Sequence, residues 1–173
     1  MKKRPLSALG PTFAALVLCA VPTLAQGAKL IDVFNDWSAF VEDEKGKPTC
    51  YAGSLPKKTE GKYTKRGDAL ILVTHRPAEK SFDVVSIQAG YIYRKESEVE
   101  VTIGGQRFEL FAKGGNAWAK DPKSDRLMVA AMKGGKSMVV KGTSSRGTLT
   151  TDTYSLSGFT AAYGTMGKAC GRK

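Results

Sequence analysis

The chain is poor in the side chains from which most enzyme and metal sites are built: its 173 residues include one histidine, His75, and three cysteines. Imidazole titrates near neutral pH and is the commonest metal ligand, so any site needing two or three histidines is excluded by count. The cysteines form no Cys-x-x-Cys pair, which removes thioredoxin-type redox chemistry and paired-thiolate zinc sites. A Ser-His-Asp triad needs only one histidine, but no Gly-x-Ser-x-Gly elbow is present to carry the nucleophile. His75 stands where an apolar run ends before Arg76-Pro77, and it is read as structural and not as a catalytic base. No catalytic residue, metal ligand or cofactor contact is assigned.

Also missing is an apolar run of the roughly 20 residues that a membrane span requires. The longest candidate, Thr12 to Val21, is bounded by Gly10-Pro11 and Pro22. Lys2, Lys3 and Arg4 precede it and Thr23-Leu24-Ala25 follows, with small residues where a signal peptidase needs them; these are the parts of an export signal cut after Ala25. Cys19 is not read as a lipid attachment site, because Leu18 stands where an acylation box wants a small residue. Removing 25 of the 173 residues leaves 148, enough for one domain with one core. The expected mature protein is therefore a single domain, residues 26–173, periplasmic or secreted and without a transmembrane segment.

Acidic residues are scarce, 16 against 27 basic ones. The leader holds three of the basic residues and no acidic one, so the formal charge of +11 falls by three to +8 after cleavage. No recognition helix, zinc finger or aromatic RNA-binding pattern accompanies the charge, which excludes nucleic acid as the expected partner. An exported protein meets phosphorylated lipids, lipopolysaccharide and acidic surface polymers instead. The densest basic stretch runs through Lys57, Lys58, Lys62, Lys65 and Arg66; Lys57, Lys58, Lys62, Lys65 and Arg146 are the candidate anion contacts. A solvated, self-repelling surface is the plainer explanation of the same charge.

What remains after cleavage is an even pair of cysteines, Cys50 and Cys170. In an oxidising compartment two thiols in a small domain are expected to be bridged. Closing so long a loop stabilises the fold by roughly 4–5 kcal/mol on the chain-entropy account.

The middle of the chain reads as strands. Glu98 to Ile103 and Gln106 to Phe111 alternate polar with apolar around Gly104-Gly105, a two-residue hairpin that sets Val101 opposite Phe108 and Val99 opposite Leu110. The same register places Glu100 across from Glu109 on the outer face, where Arg107 and Lys95 are close enough in sequence to offset the repulsion. Further strands are expected at Asp36 to Val41, Thr49 to Leu55, Leu70 to Thr74, Phe82 to Gln88, Tyr91 to Tyr93, Ser137 to Lys141 and Thr148 to Ser155, with Leu70 to Thr74 suited to a buried central position. Asp121-Pro122 reads as an N-cap followed by proline in the first helical turn, with Leu127 to Lys133 as the helix and Gly134-Gly135 as its stop. Phe159, Ala162, Tyr163 and Met166 recur at helical spacing near the end, although Gly164 and Gly167 weaken that helix. Many short strands and two minor helices predict an all-β, antiparallel sandwich.

Three motifs invite a sharper reading. Gly135-Lys136-Ser137 imitates the end of a phosphate-binding loop, but Ala130 stands where the first glycine belongs and a strand, not a helix, follows. Lys141 to Thr148 could fold as an anion-binding nest under Arg146, though a polar hairpin turn explains the same residues. Arg66-Gly67-Asp68 spells an integrin-binding tripeptide, yet it directly precedes an apolar strand, where a charged turn is the ordinary explanation.

Cys50-Tyr51-Ala52, Arg66-Gly67-Asp68 running into Leu70 to Pro77, Ala117-Trp118-Ala119, and Gly142 to Thr148 through Ser157-Gly158-Phe159 to Cys170 resemble the invasion-associated locus B family of exported bacterial proteins. The resemblance covers roughly Trp37 to Cys170. It implies an immunoglobulin-like β-sandwich, export, no established enzyme activity and, for some members, a part in entry into host cells. It transfers no catalytic residue. The function expected is that of a non-enzymatic envelope or surface protein that meets an anionic envelope component, a cell surface or another protein. The alternative is a periplasmic ligand-binding module or a hydrolase with an unrecognised site.

Overall fold

The computed structural model describes residues 27–172, so the export signal lies outside the described residues. Within them one antiparallel sheet contains β1 (Lys29–Phe34), β2 (Trp37–Glu44), β3 (Lys47–Ser54), β4 (Lys58–Gly61), β5 (Leu70–Arg76), β6 (Ser81–Gln88), β7 (Glu98–Ile103), β8 (Gln106–Lys113), β9 (Asn116–Ala119), β10 (Ser137–Thr143) and β11 (Leu149–Ser155). Helix α1 (Pro122–Gly134) joins β9 to β10, and α2 (Phe159–Ala169) follows β11. The strands are hydrogen-bonded in the order β1-β2-β3-β5-β6-β9-β8-β7-β10-β11-β4.

The expected all-β sandwich is observed, but a single sheet makes both of its layers by folding over on itself. The Trp37 indole on β2 donates to the Ser155 carbonyl on β11 at 2.9 Å, and the Lys57 amide donates to the Thr153 carbonyl at 2.8 Å. Distant strands are thereby brought together around one contiguous core. Alternating residues of the strands enter it, among them Trp37, Ile71, Val85, Ile87, Val99, Val101, Leu110, Met138 and Tyr154. Met128 and Met132 of α1 and Phe159 and Met166 of α2 complete it. Each large apolar side chain removed from water contributes roughly 1.5–3 kcal/mol.

The β7–β8 hairpin has the register that its alternation predicts, with Val99 opposite Leu110, Val101 opposite Phe108 and Glu100 opposite Glu109. The opposed carboxylates are separated electrically by cations. Arg107 binds Glu100 at 2.7 Å, and Lys120, not Lys95, bridges Glu98 at 2.9 Å and Glu109 at 3.7 Å. Asp121 caps α1 by accepting from the Lys123 and Ser124 amides, as an N-cap carboxylate should.

Other expectations are corrected. Tyr91 to Tyr93 is not a strand; it is an irregular segment with one bridge, Tyr93 to Ser144, because its backbone bonds go to two different turns, the Tyr93 amide donating to Gly114 and the Ile92 carbonyl accepting from Ser145. Leu70 to Thr74 is not covered on both faces: Ile71 and Val73 are buried, while Leu70 and Leu72 line an outer groove. β1, β4 and β9 are additional, two of them only four residues long and too short to show a period. β1 is an edge strand with exposed Leu30, Ile31 and Val33, and its register is broken between Leu30 and Asp32. The Asp32 carboxylate takes the Val33 amide at 2.8 Å, so the irregularity and the capped amide together blunt the edge.

At one end of the sandwich, Cys170 at the close of α2 is joined to Cys50 on β3. Beside the bridge, His75 is completely buried and its Nδ1 accepts from the Asp83 amide at 3.1 Å. Asp83 accepts in turn from the Tyr163 hydroxyl and from Arg172 Nη1. Burial, and then the Asp83 hydrogen bond, push the Tyr163 hydroxyl up to about 12. Burial also lowers the His75 pKa.

Candidate functional site

The chain's polar surface converges where the segment after β4 crosses the β10–β11 turn. Here Lys62, Tyr63, Lys65, Arg66, Tyr91, Ile92, Ser144, Ser145, Arg146, Thr148 and Thr150 surround a cleft of about 540 Å³. Arg66 forms its buttress. The guanidinium is only 6% exposed and meets Asp152 with two parallel bonds, of 2.7 and 2.6 Å, while Nε donates to the Ala89 carbonyl at 2.7 Å. Burial alone would push the guanidinium toward its neutral form; the hydrogen bonds and charge of Asp152 more than offset this and raise its pKa.

Asp152 is inward-facing because β11 alternates, with Thr150, Asp152 and Tyr154 all buried. The Arg66 cation also lies 5.6 Å from the centre of the Tyr63 ring and 5.0 Å from that of Tyr91, so one buried cation braces two aromatic walls. The Tyr91 and Thr150 hydroxyls are 2.6 Å apart, and the Tyr63 hydroxyl donates to Thr59 at 2.9 Å. Burial raises the Tyr91 pKa, so the hydroxyl stays protonated at ordinary pH.

The rim has a different character. Lys62, Lys65 and Arg146 are exposed, and among the described residues none of them pairs with a carboxylate. No acidic side chain lines the cleft. Three exposed cations over a neutral, hydroxyl-rich floor leave the cleft with uncompensated positive charge.

The structure divides the sequence-predicted contacts. Lys62, Lys65 and Arg146 meet at this cleft, although 81 positions separate Lys65 from Arg146. Lys57 and Lys58 do not join them: Lys57 pairs with Asp36 at 2.8 Å and Lys58 with Glu60 at 3.0 Å. Their charge is locally neutralised because Lys58 has an acid on its own strand and Lys57 has one in the β1–β2 turn. The backbone nest under Arg146 is not formed, since the Ser144, Ser145, Gly147 and Thr148 amides donate to Thr148, Ile92, Ser144 and the Ser144 hydroxyl respectively. That segment is a polar hairpin turn. Gly135-Lys136-Ser137 leads from α1 into β10, the reverse of the strand-to-helix order of a phosphate loop.

Arg66-Gly67-Asp68 is architectural. Arg66 is engaged with Asp152, and the Gly67 amide donates to the Gly90 carbonyl at 2.9 Å where two segments of the chain cross. Gly90 has φ +73°, and a Cβ on it would stand 2.2 Å from the Gly67 carbonyl oxygen, so the crossing requires glycine. His75 is sealed in the core and meets no solvent, so it cannot act on a substrate there.

A second concavity, an outer groove of about 800 Å³ over β2, β3 and β5, went unpredicted. Phe40 and Tyr51 stack along it at 5.1 Å, with Leu55, Leu70 and Leu72 nearby. Lys57 is engaged with Asp36, the Asn35 amide with Ser157 and the Ser54 hydroxyl with the Asp36 carbonyl, so the groove offers mainly shape and apolar contact, with the Ser38 and Tyr51 hydroxyls as its remaining polar groups.

The fold and these sites define an antiparallel β-sandwich fastened by a disulfide, with a cationic cleft and a buried histidine. The chain belongs to the family of the Invasion associated locus B (IalB) protein, whose match spans residues 37–167. This is an exported bacterial family. Among solved structures, the crystal structure of invasion associated protein B from Bartonella henselae is similar with a TM-score of 0.54 and 15% identity, over 78% of this chain and 92% of that one. That likeness concerns the fold. No curated protein sequence matches the chain. Among the described residues no helix is long and apolar enough to cross a membrane.

Proposed function

We propose that this chain is exported by a cleaved signal and acts without catalysis, as a binding protein that contacts anionic material of the envelope or of a cell surface. The observation that carries this reading is the cleft, where Lys62, Lys65 and Arg146 converge with no carboxylate among its lining residues. Family membership supports it, since the family is not a known enzyme family. A role in host-cell entry, which the family's name suggests, would use the same cleft against host-surface polyanions.

Binding to lipopolysaccharide and to vesicles of acidic lipid tests the reading. Affinity should fall as salt shortens the screening length from about 10 Å at about 0.1 M to about 3 Å at about 1 M. A Lys62→Gln, Lys65→Gln, Arg146→Gln triple variant should lose binding, whereas Lys57→Gln with Lys58→Gln should change it little. Absence of binding at low salt, or equal effects of the two variants, would show that the charge serves solubility and not recognition.

A further inference from the structure

Resting on that reading, we infer that the cleft recognises an acidic saccharide, a sugar ring carrying phosphate or carboxylate. The Ser144, Ser145, Gly147 and Thr148 amides of the β10–β11 turn donate within the protein, so no run of successive free amides awaits a bare inorganic anion. The cleft of about 540 Å³ also has the size of a small-molecule site and not that of a single phosphate. An anion held by Lys62, Lys65 and Arg146 therefore belongs to a larger ligand that must satisfy the rest of the lining.

That lining matches a sugar. Thr64, Ser145 and Thr148 place hydroxyls around the cavity, each able to donate and accept, as ring hydroxyls require, and Ser144, whose hydroxyl accepts the Thr148 amide, can still donate. Tyr63 supplies an aromatic surface; the residue is 37% exposed, yet its hydroxyl is tied to Thr59 and its ring is braced by Arg66. A wall held in this way loses little freedom when a ligand stacks its C–H face against it. An acyl chain fits poorly, because Ile92 is the one aliphatic residue of the lining. Arg66 adds no net charge, being paired with Asp152, and its role is to position Tyr63 and Tyr91.

Titration calorimetry on the exported form of the protein tests this with five probes: glucosamine 6-phosphate, a glucuronate-containing tetrasaccharide, a neutral N-acetylglucosamine tetramer, inorganic phosphate and oligoglutamate. The two acidic sugars separate a phosphorylated source from a carboxylated one. At least one should bind about ten-fold tighter than inorganic phosphate and than the neutral tetramer. Tyr63→Ala should weaken the acidic sugar by about five-fold while leaving phosphate binding unchanged, and Tyr63→Phe should retain most of the affinity. Arg146→Gln should weaken both by about ten-fold. Thermal unfolding of each variant confirms that the fold persists.

If phosphate or oligoglutamate binds as tightly as the sugars, the saccharide inference is overturned while the anionic cleft stands. If the neutral tetramer binds equally, charge is not used and the inference also falls. If no probe binds while lipopolysaccharide or acidic vesicles still do, the saccharide inference is overturned and the anionic reading stands; if those fail as well, both fall.

Discussion

At the α2 end of the sandwich, His75, Asp83, Tyr163 and Arg172 are turned toward one another beside the Cys50–Cys170 bridge, whereas at the cleft Lys62, Lys65 and Arg146 face outward with no acid among the lining residues. Charges that satisfy one another internally have little left to offer a ligand, and their arrangement fixes the position of α2 against β3, β5 and β6. Charges left uncompensated over a rigid floor add little to folding and are available for binding. The contrast places structural work at one end and, on the function proposed above, recognition at the other. Arg66 is an exception, a cation under the proposed recognition surface that behaves like those of the sealed end.

The largest expected effect tests that exception. Asp152→Asn removes the charge that satisfies a guanidinium buried to 6% exposure. Removing one partner of a buried ion pair leaves the other charge uncompensated, and denaturant unfolding should show a loss of about 3–5 kcal/mol. The aromatic walls should loosen as well, because Arg66 braces Tyr63 and Tyr91. A cost under about 1 kcal/mol would mean that Arg66 reaches water readily and belongs with the rim cations.

Next in size is the bridge. Replacing Cys50 and Cys170 with alanine should lower stability by about 2–4 kcal/mol. The loss is bounded because α2 remains attached by Phe159 against Trp37, whose rings meet edge-on at 4.8 Å, and by Arg172 on Asp83. Adding Arg172→Ala to the alanine pair should cost more than the two changes measured apart, since each attachment limits what the other's loss can release. Strict additivity would show that the bridge and the Arg172 contact do not act on one element.

Much of this architecture is legible in the residues. Local signals suffice for the β7–β8 hairpin, where alternation and Gly104-Gly105 set the register, and for α1, where Asp121-Pro122 marks its start. β4 and β9 are too short to display a period; β4 forms on the edge that β11 offers, and β9 fills the space between β6 and β8 and pairs with both. The cleft was half visible. Its cations stand out by composition, but bringing Lys62 and Lys65 to Arg146 depends on pairings between β4 and β11 that no local pattern encodes. One clue was present: period-two alternation along β11 puts Asp152 on the face of Thr150 and Tyr154, and an inward carboxylate demands a cation. The outer groove is legible only in hindsight, because Leu70 and Leu72 read like core residues until the sheet is seen to leave that face uncovered.

The smallest effect concerns how the sealed end responds to acid. Because His75 Nδ1 accepts from the Asp83 amide, the neutral ring carries its proton on Nε2, 4.0 Å from Asp83 Oδ1. A second proton would have to enter at Nδ1, against that amide and in a site from which water is excluded, and burial lowers the His75 pKa accordingly. Between the folded value and the unfolded value of about 6.5, the unfolded chain binds more protons, so stability rises with pH. The contribution is present above about pH 6.5 and is lost as pH falls through the folded value. From about pH 7.5 to about pH 5, denaturant unfolding should show stability declining through this group. His75→Asn keeps an acceptor near Nδ1 and cannot titrate, so it should be less stable at neutral pH yet flatter across the window. Asp125, whose carboxyl burial raises, contributes with the opposite sign, but it is common to both proteins and cancels in their difference. Parallel pH profiles would place the acid response elsewhere and remove His75 from the account of the sealed end.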